Sequence, residues 1–420
     1  MKVGPTTNSI PPSVMKNKLM LLARSLAVAV LVTASFPASS QIAAPRRGGP
    51  PPPPLVPMFG DPLPGLSLTE LQVFVDGRND FVQVESIGTG LGPVFNNVSC
   101  VACHHQPAVG GSSRITVTRY GRSVNGVFDP LTAKGGTLLH EFAINPAVRE
   151  VIPPEANVIA RRRTTPLFGL GLIEAIPDSI IRQNAQLAKP DGVKGKLSII
   201  TDVASGQPRV GRFGWKAQHA TLLSFAADAY LNEMGITSRF FPHDIAPNGN
   251  TNVLHLFDTV ADPEDQPDPA TGKADVDRVA DFMRLLGAPP RLALTAAAQA
   301  GQTLFTQAGC AACHTPSFTT GTSPMAAINN KTVPLYSDLL LHDMGALADG
   351  IAQSAAGTRE MKTPPLWGLR GNPSYLHDGR AETVDQAIRA HDGEAATSKG
   401  RYLQLTPAQK QQLLEFLHSI

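Results

Sequence analysis

All four cysteines of this 420-residue chain stand in two copies of one pattern, Cys100-Val-Ala-Cys103-His104 and Cys310-Ala-Ala-Cys313-His314. On a helical turn, residues three apart share a face. Each thiol pair can therefore bond to the two vinyl groups of one porphyrin, with the next histidine beneath the iron as its axial ligand. Two other uses of such cysteines fit less well. A thioredoxin-like redox pair needs a βαβ setting that the flanking residues do not offer. One zinc held by four cysteines needs both pairs in a small module, whereas Cys103 and Cys310 lie about 200 residues apart. Two covalently attached haem c groups are the expected cofactors, and the fold must wrap both.

The N-terminal residues point to export. Lys16, Lys18 and Arg24 precede an apolar run over residues 25–36, and the small residues after it suit cleavage near Ser40. The run is too short to cross a bilayer comfortably. Residues 1–40 are read as a signal peptide and the location as the periplasm, with no other membrane segment expected. Residues 41–64 form a Pro-rich linker. Removing Lys2, Lys16, Lys18 and Arg24 from the 36 basic residues leaves 32 against 34 acidic ones. No cationic surface remains to attract nucleic acid or anionic lipid.

Two halves repeat a similar plan, which predicts a mainly α fold of two cytochrome c-like haem domains from an internal duplication, with long loops. A helix capped at Thr295 should run into the second motif. Residues 164–171 (TTPLFGLG) are echoed by 363–370 (TPPLWGLR), and residues 212–222 loosely by 375–384. Each half closes on an apolar helix, residues 275–286 and 406–420. The latter opens with a Thr406/Gln409 capping box and Pro407 in its first turn. The boundary falls at 287–291 (GAPPR), giving domains at 65–290 and 291–420. Alternating β-branched and polar residues over 112–129 predict a small hairpin.

Two polar residues lie on apolar helical stripes. His391 follows Val384, Ala387 and Ile388 at i, i+3, i+4 and i+7. Such a histidine is either a satisfied core residue or a ligand. Glu233 shares a stripe with Leu222, Phe225, Ala226, Ala229 and Tyr230. A carboxylate there reaches solvent from the helix end or is buried for use, because burying it idle is costly.

In this order the motifs CxxCH, TPLFGLGLIEAIPD, RFGWKA, NEMGITS, CAACHTP, LLLHDMG, TPPLWGLR, YLHDGRAET and HDGEA resemble the bacterial di-haem oxidoreductases, also labelled "thiol oxidoreductases". That family is related to the di-haem cytochrome c peroxidases and to the enzyme that matures tryptophan tryptophylquinone. The resemblance spans about residues 65–420. It implies peroxide reduction at the first haem, held by His104, with electrons entering at the second, held by His314, from a small redox protein. It further implies His391 as the second haem's sixth ligand, with Met344 as the alternative. Glu233 would be the acid/base over the first haem and Trp215 an electron relay between the haems. His377, Asp378 and Arg380 would organise the second haem's propionates. Trp367 is read as packing. Relatives that need reductive activation carry a distal histidine about 16 residues after the proximal one, where this chain has Tyr120. His105 and His140 remain as other candidates, and an open first haem is expected. The acidic loop 262–269 would be the place for a Ca2+ ion, although its spacing is not that of an EF-hand. An oxygenase or protein oxidase on the same open haem, or an electron shuttle with both haems six-coordinate, are the alternatives. With every cysteine in a haem motif, no thiol is spare for thiol chemistry.

Overall fold

The computed structural model describes residues 58–260 and 266–420. The expected signal peptide 1–40, most of the linker 41–64 and part of the acidic loop 262–269 lie outside the described residues. Among those described, eleven α-helices are joined by 3-10 turns, loops and twelve short strands in five small sheets. In chain order the helices are α1 (Leu68–Val82), α2 (Cys100–Cys103), α3 (Leu170–Glu174), α4 (Asp178–Gln186), α5 (Leu222–Met234), α6 (Thr251–Phe257), α7 (Asp275–Leu285), α8 (Ala296–Gln307), α9 (Val384–Ala390), α10 (Ala396–Gln404) and α11 (Pro407–Ser419).

Two helix pairs set the frame. In the first, α1 crosses α7 at Gly77, where an added Cβ would lie 2.1 Å from the Arg278 carbonyl oxygen. Only a residue without a side chain lets the backbones meet there. One turn on, Phe81 packs on Phe282 (ring centroids 4.8 Å) and on His104 (6.0 Å). In the second pair, α8 crosses α11 at Gly301, whose Cβ would lie 2.0 Å from the Gln412 oxygen. Phe305, again one turn on, packs on Phe416 (5.5 Å) and approaches His314 (6.4 Å). Serine and threonine caps start these helices. Ser67 and Glu70 close a capping box on α1, Thr295 Oγ1 accepts from the Ala298 N–H on α8, and Thr406 with Gln409 closes a box on α11.

The predicted hairpin is present. Strand Thr116–Val124 pairs antiparallel with Val127–Asp129 across Asn125 and Gly126, both at positive φ, the two-residue turn that matches strand twist. The long strand also pairs with Val158–Arg163 and Leu138–Leu139. This sheet carries Arg119 toward the first motif and Arg163 toward the second. The larger hydrophobic cluster draws on α1, α3, α5 and α7 and also takes Phe318, Val333, Leu335, Leu339, Leu340 and Trp367. The smaller one lies between α8, α10 and α11.

Candidate functional site

Both motifs are built alike. Ser99 Oγ accepts from the Ala102 N–H and starts the single turn Cys100–Cys103. At the second motif, α8 stops at Ala308. Gly309, at φ +87, then redirects the chain into the turn Cys310–Ala312. Burial pushes the thiols of Cys100 and Cys310 up to about 12 and that of Cys103 up to about 11. Among the described residues, no three His, Cys, Asp or Glu converge to hold a metal ion.

The histidines are oriented for coordination. His104 Nδ1 donates to the Gly111 carbonyl (3.0 Å) and His314 Nδ1 to the Tyr336 carbonyl (2.9 Å). Fixing that tautomer leaves Nε2 of each ring as a lone-pair donor, the usual arrangement of an iron-ligating histidine. Burial pushes both rings down to about 4, so they stay neutral.

A cavity of about 250 Å³ opens at the second motif. Cys310, Cys313 and His314 line it, together with Val384, Ala387, Ile388 and His391 from α9 and its end. His391 Nδ1 donates to the Ala387 carbonyl (2.8 Å), so its Nε2 is free as well. Met344 lines the same cavity, so both candidate ligands are brought to it. A mostly apolar chamber that brings the thiols of Cys310 and Cys313 together with the imidazoles of His314 and His391 fits one haem.

Trp215 stands in the cavity wall with His377 edge-on at 6.3 Å. Its Nε1 donates to the Arg163 carbonyl (2.9 Å), while Arg163 Nη1 donates to Ser112 Oγ (2.6 Å). Ser112 follows Gly111, whose carbonyl holds His104. A short run of bonds therefore ties the first motif's histidine to the second cavity through Arg163 and Trp215. Trp367 is 7% exposed and packs in the core beside the same cavity. Arg380 is exposed and pairs with Asp378. The cavity-lining residues of that segment include His377 but not Arg380.

At the first motif, the N–H groups of Asn96 and Asn97 donate to the Glu233 carbonyl (2.8 and 3.1 Å), and Asn97 Nδ2 donates to Cys103 Sγ (3.7 Å). Glu233 therefore sits beside the motif. Burial raises its pKa, against the pull of Arg119 and His140. Tyr120 is fully buried, its hydroxyl donating to the Lys134 carbonyl (3.1 Å). His105 is exposed. His140 is buried and bonded to Glu150.

Sequence reasoning missed the polar surround of Cys313. His342 is buried 3.6 Å from Cys313 Sγ, with Nε2 on Asp338 (2.9 Å) and Nδ1 on Glu394 (2.7 Å). Burial alone would lower its pKa. The bonds to Asp338, Cys313 and Glu394 outweigh that and push it up to about 12, an imidazolium at any ordinary pH. Lys362, another cavity residue, is pushed by burial down to about 8. His342 and Asp338 share the i, i+4 spacing in the chain, the one local signal that could have paired them.

The chain belongs to the family described as "Di-haem oxidoreductase, putative peroxidase", which matches residues 150–420. The match takes in Trp215, Glu233, His314 and His391, while the first motif lies ahead of it. It is a di-haem oxidoreductase of the peroxidase type, and haem is its cofactor. No curated protein matches the chain. Among solved structures, hydrazine synthase of Kuenenia stuttgartiensis is 14% identical, with 92% of this chain and 100% of that one covered at a TM-score of 0.38. A MauG-like protein associated with microbial copper homeostasis is 17% identical over 87% and 93%, also at 0.38. The di-haem peroxidase BthA of Burkholderia thailandensis is 14% identical over 83% and 85%, at 0.38.

Proposed function

We propose that the chain is an exported, periplasmic di-haem c peroxidase that reduces hydrogen peroxide with electrons from a small redox protein. The observation that carries this reading is the difference between its two sites. The second presents two imidazoles with free Nε2 atoms, His314 and His391, into one cavity. The first sets His104 beside Glu233, whose carboxyl pKa burial raises. The haems, when bound, supply the electrons, taken up at the His314 site and spent on peroxide at the His104 site.

The chain's own residues do the rest. Cys100, Cys103, Cys310 and Cys313 anchor the cofactors as thioethers, and His391 rather than Met344 closes the second site. Glu233, whose pKa burial raises, gives a proton to the leaving oxygen. Trp215, held by Arg163, bridges the sites. The matching Gly77–Phe81–His104 and Gly301–Phe305–His314 arrangements support an origin of the two haem domains by duplication.

The test is to reduce the holoprotein by one electron, mix it with one equivalent of hydrogen peroxide in a stopped-flow spectrometer and follow the haem bands. Wild type should lose its ferrous signal rapidly. Glu233→Gln should slow that step by roughly 10²-fold or more while its reduction by the donor is unchanged. A wild-type spectrum static for seconds would sink the peroxidase reading and leave an electron shuttle.

A further inference from the structure

Among the described residues, two buried side-chain atoms near Glu233 have no hydrogen-bond partner, His140 Nε2 and Arg119 Nε. Chain connections bring them together. Asn96 donates its N–H to the Glu233 carbonyl, and its Oδ1 accepts from the N–H of Glu141, the residue after His140 (3.1 Å). Arg119 stands opposite Leu138 in the sheet, two residues before His140. Arg119 and, when it carries a proton, His140 lower the pKa of the Glu233 carboxyl against the effect of burial.

His140 is 1% exposed. Its Nδ1 lies 2.8 Å from Glu150 Oε2, which also accepts the His140 N–H (2.8 Å), while Glu150 Oε1 accepts from the Asn248 N–H (3.1 Å). The carboxylate thus fixes the ring and its tautomer, directing the lone pair of the neutral ring to Nε2. A purely structural histidine would use both nitrogens, because leaving one bare inside a protein costs stability. The same anchoring could orient an iron ligand.

We propose that His140, held by Glu150, is a second proton-transferring residue of the His104 site, acting with Arg119 on small weak acids that ionise as they bind. The inference rests on the reading that this site takes up substrate, and it names the substrate class. With hydrogen peroxide, His140 Nε2 takes the proton from one oxygen while Glu233 gives one to the other. The O–O bond breaks and that second oxygen leaves as water. The first oxygen accepts two electrons from the reduced protein and two protons, one returned by His140 and one arriving through Glu233, forming the second water. Arg119 offsets the negative charge that appears when the first proton leaves.

Hydrogen cyanide must also lose its proton to bind, so it reads the base without turnover. Potassium cyanide association with the ferric holoprotein is measured by stopped flow for wild type, His140→Gln and Glu150→Gln. Wild type should bind rapidly, His140→Gln about 10²-fold more slowly and Glu150→Gln about tenfold more slowly, all with the same resting spectrum. Unchanged rates in the variants, or a wild type that does not bind cyanide, would overturn the proposal. So would a low-spin signal lost in His140→Gln, which would make His140 an iron ligand. Should His140→Gln lose its haem, Glu150→Gln decides by the same criteria. A wild type that binds cyanide with this dependence yet leaves peroxide unreduced would refute the peroxidase reading alone.

Discussion

Gly301→Ala should destabilise the protein although alanine is the better helix former. The added Cβ would lie 2.0 Å from the Gln412 oxygen, 2.6 Å from its carbonyl carbon and 2.9 Å from Phe416 Cβ. Ordinary contact begins at ~3.4 Å, so α8 and α11 must part by roughly 1 Å. Overpacking of this kind costs about 1–3 kcal/mol. Loosening the Phe305–Phe416 contact adds about 0.5–1.5 kcal/mol, and helix propensity returns about 1 kcal/mol. The net loss is about 2 kcal/mol. Gly400 supplies the control. It lies inside α10 with no atom within 4 Å of where a methyl group would stand, so Gly400→Ala should gain about 1 kcal/mol. Urea unfolding of both holoproteins, followed by far-UV circular dichroism and by haem absorbance, measures the difference of about 3 kcal/mol. A Gly301→Ala protein as stable as Gly400→Ala would refute the close crossing and with it the account of how Phe305 is held against His314.

Replacing His391 by Gln should turn the second haem from six- to five-coordinate, read as a high-spin ferric band, whereas Met344→Leu should leave the spectrum unchanged; the reverse pattern would assign the ligand to Met344. His342 should make stability depend on alkaline pH. Its folded pKa lies above the unfolded value, so its contribution is complete below about pH 6.5 and is lost as pH rises toward about 12. The loss is at most about 1.4 kcal/mol per pH unit. His342→Gln should therefore flatten the fall in urea midpoint between neutral and mildly alkaline pH, and equal slopes in the two proteins would remove the imidazolium from the account.

The parts legible in the sequence are those set by neighbouring residues. Cys310–His314, the Thr295 cap, the Thr406/Gln409 box and the Asn125-Gly126 turn each act within a few residues, and each lies where local chemistry puts it. The stripe carrying Glu233 places it beside the first motif, but its surroundings come from elsewhere in the chain. Arg119 arrives on a strand and His140 through a loop pinned by Glu150. His342 is clamped by Glu394, 52 residues away, and no periodicity encodes such a pair. Arg380 suits a propionate by residue type, yet Asp378 two positions earlier holds its guanidinium at the surface. The mainly α expectation allowed for one hairpin and left out the other small sheets, in which loop backbone groups pair with one another instead of with a helix.

The larger hydrophobic cluster has a consequence for cutting the chain. Phe318, Val333, Leu335, Leu339, Leu340 and Trp367 reach it from beyond Arg291. Burial of a large apolar side chain is worth about 1.5–3 kcal/mol, so a fragment ending near residue 290 would forfeit an amount comparable to the whole net stability of a typical domain, about 5–15 kcal/mol. Such a fragment would expose a sticky apolar face, and in the intact protein heat would melt the surroundings of both haems in one transition.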